Sequence, residues 1–186
     1  MTSSEIVEVV DENDRVLSLA SLDDCKRKGL LHRTACVFVR NRADQVLLQR
    51  RSLSDDWLPG KWTVSCSGHI KAREPPEQAA VRELKEELGI EENPRFLFKK
   101  LLPSISWSEF SEFEVAYAFE SVTDQKVRIN RDEVEEVKFV AKDEFYDMIQ
   151  KNTEEFTPDA IILLQKYLQK AASALGERNG PTNPVE

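Results

Sequence analysis

The 23 residues from Gly68 to Ile90, GHIKAREPPEQAAVRELKEELGI, constrain what this chain can fold into more than any other stretch. They hold five glutamates, Glu74, Glu77, Glu83, Glu86 and Glu87, with Arg82 just ahead of the densest acidic cluster. From Pro75 onward the pattern predicts one helix. Pro75 and Pro76 suit a first turn, where a missing N–H costs nothing, and Gly89 suits a left-handed C-terminal stop. Glu83, Glu86 and Glu87 then stand at i, i+3 and i+4 and crowd one face. Ala80, Leu84 and Leu88 keep an i, i+4 rhythm on another face, fit for burial. A bare E-x-x-E-E is most often a solvated acidic face. Three like charges within one turn also call for a compensating cation, and all-oxygen ligation selects a hard divalent ion such as Mg²⁺ or Mn²⁺.

Composition narrows the partners. With 186 residues, 40% hydrophobic and 32% charged, the chain suits one soluble domain with a sizeable core. Its 26 basic and 34 acidic residues give a formal charge of −8, which argues against duplex nucleic acid or an anionic membrane as partner. A phosphorylated substrate therefore needs local help from metal ions and particular basic residues. Three scattered cysteines, Cys25, Cys36 and Cys66, make no disulfide scaffold. The acidic N-terminus lacks an apolar signal core, and no apolar run approaches the ~20 residues of a membrane span. A cytoplasmic protein is expected, with its oligomeric state left open, a homodimer included.

Read in order, Ile6–Val10 and Arg15–Leu19 form a hairpin around the DEND turn, and Asp23–Lys28 form a short helix ending at Gly29. Thr34–Arg40 is a buried strand, Val46–Arg50 pairs back on it, Ser52–Lys61 is a loop, and Trp62–Cys66 is one strand. After the acidic helix come a strand at Phe96–Leu102, an irregular loop at Pro103–Phe110 and an alternating strand at Glu112–Phe119. Glu133–Phe139 is a further strand and Lys142–Ile149 a short helix. Pro158 opens a last helix with an apolar stripe at Ile161, Leu164, Leu168, Ala171, Ala172 and Leu175. Residues 1–175 make a single domain, and 176–186 read as a disordered tail. Strands on both sides of a central helix, with another helix at the end, predict an α/β/α sandwich with a mixed sheet.

The motif G-x5-E-x7-R-E-L-x-E-E-x-G-I starting at Gly68 resembles the Nudix box at every specified position, and the chain is identified as a member of that superfamily. The resemblance implies the same sandwich fold and metal-dependent attack on a diphosphate. In that reading Glu83, Glu87 and the Gly68 carbonyl bind the metal, and Glu86 joins directly or through water. Arg82 orients the carboxylates, Glu74 is structural, and Glu77 is solvated. The base that deprotonates the attacking water is drawn from Glu86, Glu87 and Glu114.

Four further segments, LLHRTACVFV, LLQRRSLS, LPGKWTVSCSGH and SEFEVAYAF, resemble type I isopentenyl-diphosphate isomerases across residues 5–165. Those enzymes carry a second metal site of histidines and an E-x-E strand. His32, His69, Glu112 and Glu114 match four of its positions, while Cys25 stands at the fifth. Such a donor set suits Zn²⁺ or a related transition metal. The bland alternative has His32 capping a strand, His69 bonding a loop, and both glutamates exposed.

The isomerase resemblance fails at the chemistry. The position of the isomerase's proton-transferring cysteine is Ser67, a poor acid or base for that task, and the adjacent Cys66 should point to the opposite face. Asp55 and Asp56 replace two phosphate-binding lysines and should repel a diphosphate, leaving Arg51, with Arg50 beside it, as the expected diphosphate contact. Trp107, in a serine-flanked loop, is the candidate for stacking on a nucleobase, with Trp57 a second and Trp62 expected in the core. The expectation is a small-molecule diphosphate hydrolase. An isopentenyl-diphosphate isomerase is the alternative, and a non-catalytic nucleotide-binding module a further one.

Overall fold

The computed structural model describes residues 5–178, with side chains described through Lys170. The chain begins with the expected hairpin, β1 (Ile6–Val10) and β2 (Val16–Ser21), then helix α1 (Leu22–Lys28). Ser21 caps α1 by accepting from the Asp24 N–H, and Gly29 ends it in the left-handed region. Strands β3 (His32–Arg40), β4 (Val46–Arg51), β5 (Trp62–Thr63) and β6 (Cys66–His69) lead into helix α2 (Pro76–Leu88). Then follow β7 (Arg95–Leu101), a second hairpin of β8 (Ile105–Trp107) and β9 (Phe110–Glu112), and β10 (Glu114–Val122). Strand β11 (Val134–Val140), helix α3 (Lys142–Lys151) and helix α4 (Pro158–Arg178) complete it.

The main sheet has the order β11-β4-β3-β10-β7, with β5 on β4 and β6 on β3. Strands β3 and β10 run parallel and the other pairs antiparallel, so the sheet is mixed. Alternation along β3 sends Ala35, Val37 and Val39 to a core under α2, and Cys36 and Phe38 to a core under α3 and α4. Both faces are covered, which is why TACVFVR is apolar without a break. The expected α/β/α sandwich is the observed one.

Several details differ from expectation. Trp62–Cys66 is not one strand. Strands β3 and β4 pair only at Arg40–Val46, and the chain fills the gap between them, β5 bonding β4 and β6 bonding β3. At the split, the buried Ser65 hydroxyl donates to Leu47 O at 2.6 Å and accepts from Val39 N at 2.7 Å, standing in for ladder bonds. The expected loop at Pro103–Phe110 contains β8 and the start of β9, with Ser108 at positive φ in the turn. The E-x-E pair straddles two strands, Glu112 ending β9 and Glu114 opening β10. Helix α4 continues to Arg178, so Gly176–Arg178 of the expected tail are helical, while 179–186 lie outside the described residues. In the stripe, Leu164 and Leu168 are buried; the side chains of Ala171, Ala172 and Leu175 lie outside the described set.

Candidate active site

Helix α2 presents Glu83 and Glu87 as buried carboxylates and Glu86 as an exposed one. They face a cleft of about 260 Å³ shared with Gly68, Gln49, Arg51 and Glu133. Gly68 lets Glu83 close against the backbone, because a Cβ there would fall 2.0 Å from Glu83 Oε1. Its carbonyl accepts from Thr34 Oγ1 at 3.0 Å, in a strand paired with β3 at Ala35. One Glu87 oxygen accepts from the Ser67 N–H at 3.2 Å, and the other is buried without a hydrogen-bond partner.

Arg82 organises this face. It grips Glu74 with two bonds of 2.9 Å, donates to His69 O at 3.1 Å, pairs closely with Glu83 and reaches Glu86 at 3.3 Å. One guanidinium thereby ties the loop before α2 to the acidic face. Burial, with Glu86 adding and Arg82 opposing, pushes Glu83 up to about 7. Burial and then the Glu83 charge push Glu87 well above the carboxylate range. Two buried acids with raised pKa and an orphaned oxygen are what a hard cation would correct.

A second cluster lies on the other side of β6. His32, His69, Glu112 and Glu114 each bring a ligand atom within 4.8 Å of the others. His32 is fully buried at the start of β3, and Glu112 and Glu114 are largely covered, against the exposed alternative for the glutamates. The His32 Nδ1–H donates to Leu30 O at 2.8 Å, which in the neutral ring leaves the Nε2 lone pair facing the cluster. That Nε2 and Glu112 Oε2 are 3.4 Å apart, and both are buried without hydrogen-bond partners. His69 Nε2 stands 3.6 Å from Glu112 and 3.7 Å from Glu114. Burial and then Glu112 push Glu114 up to about 8, while burial holds the His69 imidazolium down. Glu112 goes the other way: burial opposes it, but the two imidazoles hold it well below the usual range. Lys26 Nζ pairs with Glu112 Oε1 at 2.9 Å. The donor set and its orphaned atoms fit a transition-metal ion.

The two clusters are neighbours. Ser67, Gly68, His69 and Arg51 line both the acidic cleft and a cavity of about 110 Å³ over the histidine cluster. The cavity wall also holds Trp57 and Asp159. Ser67 faces this space, whereas Cys66 is buried in the core under α2, as alternation along β6 requires. Cys25 packs with Val7 and Val9 in a satellite core, outside the four-ligand group.

Arg51 reaches both spaces, donating to Trp57 O at 2.7 Å and to Asp55 at 2.6 Å. Asp55 is therefore paired, which removes the bare repulsion expected of it. Arg50, one residue away, points elsewhere: it bonds Gly60 O at 2.9 Å and lines a separate groove with Leu53 and Arg131. Trp107 is exposed on the β8–β9 hairpin and lines neither space, while Trp57 does line the cavity. Trp62 is buried in the core. Sequence reasoning missed Lys26, Gln49, Glu133 and Asp159. Gln49 alone had a signal, a polar residue in an apolar strand. Burial and the Glu86 charge push Glu133 upward too.

Among the described residues, no helix is long and apolar enough to cross a membrane. The NUDIX domain family model matches residues 30–160. An isopentenyl-diphosphate Delta-isomerase of Photorhabdus laumondii is 34% identical over 140 residues, 73% of this chain and 77% of that protein. An uncharacterised Nudix hydrolase of Pseudomonas aeruginosa is 29% identical over 172 residues, 90% of this chain and 95% of the relative. The crystal structure of a Deinococcus radiodurans protein superposes with TM-score 0.66 at 24% identity, covering 87% of this chain and 98% of that one, a likeness of fold. With its box complete and most of its length inside the matched domain, the chain belongs to the Nudix family.

Proposed function

We propose that this chain is a divalent-metal-dependent Nudix hydrolase that cleaves the P–O–P linkage of a small organic diphosphate, nucleoside-diphosphate-like or otherwise. The observation that carries the reading is the pair of buried, charge-frustrated carboxylates, Glu83 and Glu87, closed around Gly68 with one Glu87 oxygen left unpaired. Glu83, Glu87 and the Gly68 carbonyl would hold Mg²⁺ or Mn²⁺, with Glu86 beside them. His32, His69, Glu112 and Glu114 would hold a second ion such as Zn²⁺. Bound cations of this kind neutralise diphosphate oxygens and make a coordinated water more acidic.

The chain's own groups supply the rest. Arg51 offers its guanidinium to the diphosphate from the wall common to both spaces. Arg82 keeps the carboxylates in register. Glu86, exposed on the cleft, takes the proton as water oxygen bonds to phosphorus; the bridging P–O bond breaks and its electrons leave with the departing phosphate. Of the other base candidates, Glu87 is buried in the acidic cluster and Glu114, partly buried, belongs to the histidine cluster. Assaying nucleoside diphosphate sugars, dinucleotide cofactors, dinucleoside polyphosphates and isoprenoid diphosphates by ³¹P NMR tests the reading.

A second reading, alkene isomerisation of isopentenyl diphosphate, is favoured by the 34% identical isomerase and by the histidine cluster. Ser67 in the cavity and Cys66 turned away from it count against that chemistry. Incubation with isopentenyl diphosphate and Mg²⁺ decides it: formation of dimethylallyl diphosphate supports isomerisation. A nucleotide-binding module without turnover stands last, because no box glutamate is lost.

A further inference from the structure

Glu112 is a divided carboxylate. Its Oε2 faces His32 and His69, while its Oε1 is held by the Lys26 ammonium at 2.9 Å. Lys26 projects from α1 into the cavity that His69, Glu112 and Glu114 line, and its side chain is only 23% exposed. Arg51 on the same wall is engaged by Asp55, so Lys26 is the cation whose charge is spent directly on the histidine cluster. We propose that Lys26 is a tethered competitor for the second metal: it balances the cluster's charge when no ion is bound and sets the concentration at which an ion enters.

The physics follows from the shared carboxylate. A divalent ion that takes Glu112 through Oε2 acquires a fixed positive neighbour on the other oxygen of the same group. That neighbour repels the ion and withdraws electron density from its ligand. The second site is thereby tuned to bind weakly and exchange, where His32, His69, Glu112 and Glu114 without Lys26 would hold the ion tightly. Lys26 acts through Glu112 and is a positioning and charge-setting residue. The inference rests on the two-cluster reading above, but its test does not depend on turnover.

The experiment titrates chelator-treated protein with Zn²⁺ in saturating Mg²⁺ by calorimetry, for wild type, K26M, K26Q, K26R and H69A. H69A identifies the binding phase that belongs to the second cluster. The expected result is binding at that phase at least about tenfold tighter in K26M and K26Q than in wild type, with K26R within about threefold. K26Q guards against a packing defect peculiar to methionine, and circular dichroism confirms that each variant is folded. If the folded K26M and K26Q bind Zn²⁺ no more tightly than wild type, or if K26R behaves like them, the proposal is overturned. A wild type that hydrolyses no diphosphate yet shows the tightening sinks the hydrolase reading alone.

Discussion

The two ionisable clusters on either side of β6 are built on opposite plans. The acidic cleft takes its carboxylates from one helix, α2, and a glycine fifteen residues before the first of them, and it balances charge with Arg82 of the same helix. The histidine cluster gathers its groups from β3, β6, β9 and β10, and balances charge with Lys26 from α1. Local construction makes the carboxylates of the first the product of one helix and the loop that leads into it. Long-range construction makes the second depend on the whole sheet, and gives it more ways to be retuned. The two adjoin, since Ser67, Gly68, His69 and Arg51 line both spaces.

The largest expected effect is at the glycine. G68A forces Glu83 away from its place, so diphosphate turnover is expected to fall at least about 100-fold while thermal unfolding stays near wild type, since the clash is with a side-chain tip. Kinetics beside a melting curve checks this; activity within a few-fold would break the idea that the cleft is closed around Gly68. Next comes R82A, expected to lower kcat about 10- to 100-fold, with R82K recovering little because an ammonium cannot grip Glu74 with two parallel bonds.

Metal removal should show the charge frustration directly. Glu83 and Glu114 have folded pKa values near 7 and 8, above the ordinary carboxylate value. Raised folded values mean that their contribution to stability is fully present below about pH 4.5 and is lost as pH climbs through 7 to 8. In chelator, the melting temperature is therefore expected to drop by several degrees between pH 5.5 and 8.5. Saturating Mg²⁺ and Zn²⁺ favour the charged forms and should flatten the drop. Calorimetric scans across that pH range test it, and a chelated protein whose stability rises with pH contradicts it.

The smallest effects separate neighbours. R51A is expected to raise KM about tenfold or more, whereas R50A and W107A stay within about twofold, because only Arg51 faces the two spaces.

These contrasts also mark what could be read from the residues alone. Helix α2, its caps and its three glutamates were legible because helical periodicity and a contiguous motif carry them. The sandwich was legible because β3 is apolar on both faces. The split between β5 and β6 was not, since it turns on one serine hydroxyl replacing ladder bonds between strands far apart in sequence. The β8–β9 hairpin hid behind a turn with no glycine or asparagine. Lys26, Glu133 and Asp159 carry ordinary surface signals in sequence, and only tertiary packing brings them to the site. The histidine cluster was visible through family resemblance rather than spacing, as four separate elements must meet to form it.

The most direct measurement is a ³¹P NMR time course with Mg²⁺ of wild type and E87Q on the panel that includes isopentenyl diphosphate. The account predicts that wild type breaks a P–O–P linkage in at least one organic diphosphate and that E87Q is at least about 100-fold slower. It is contradicted if wild type leaves every diphosphate intact while turning isopentenyl into dimethylallyl diphosphate, or if E87Q hydrolyses within a few-fold of wild type.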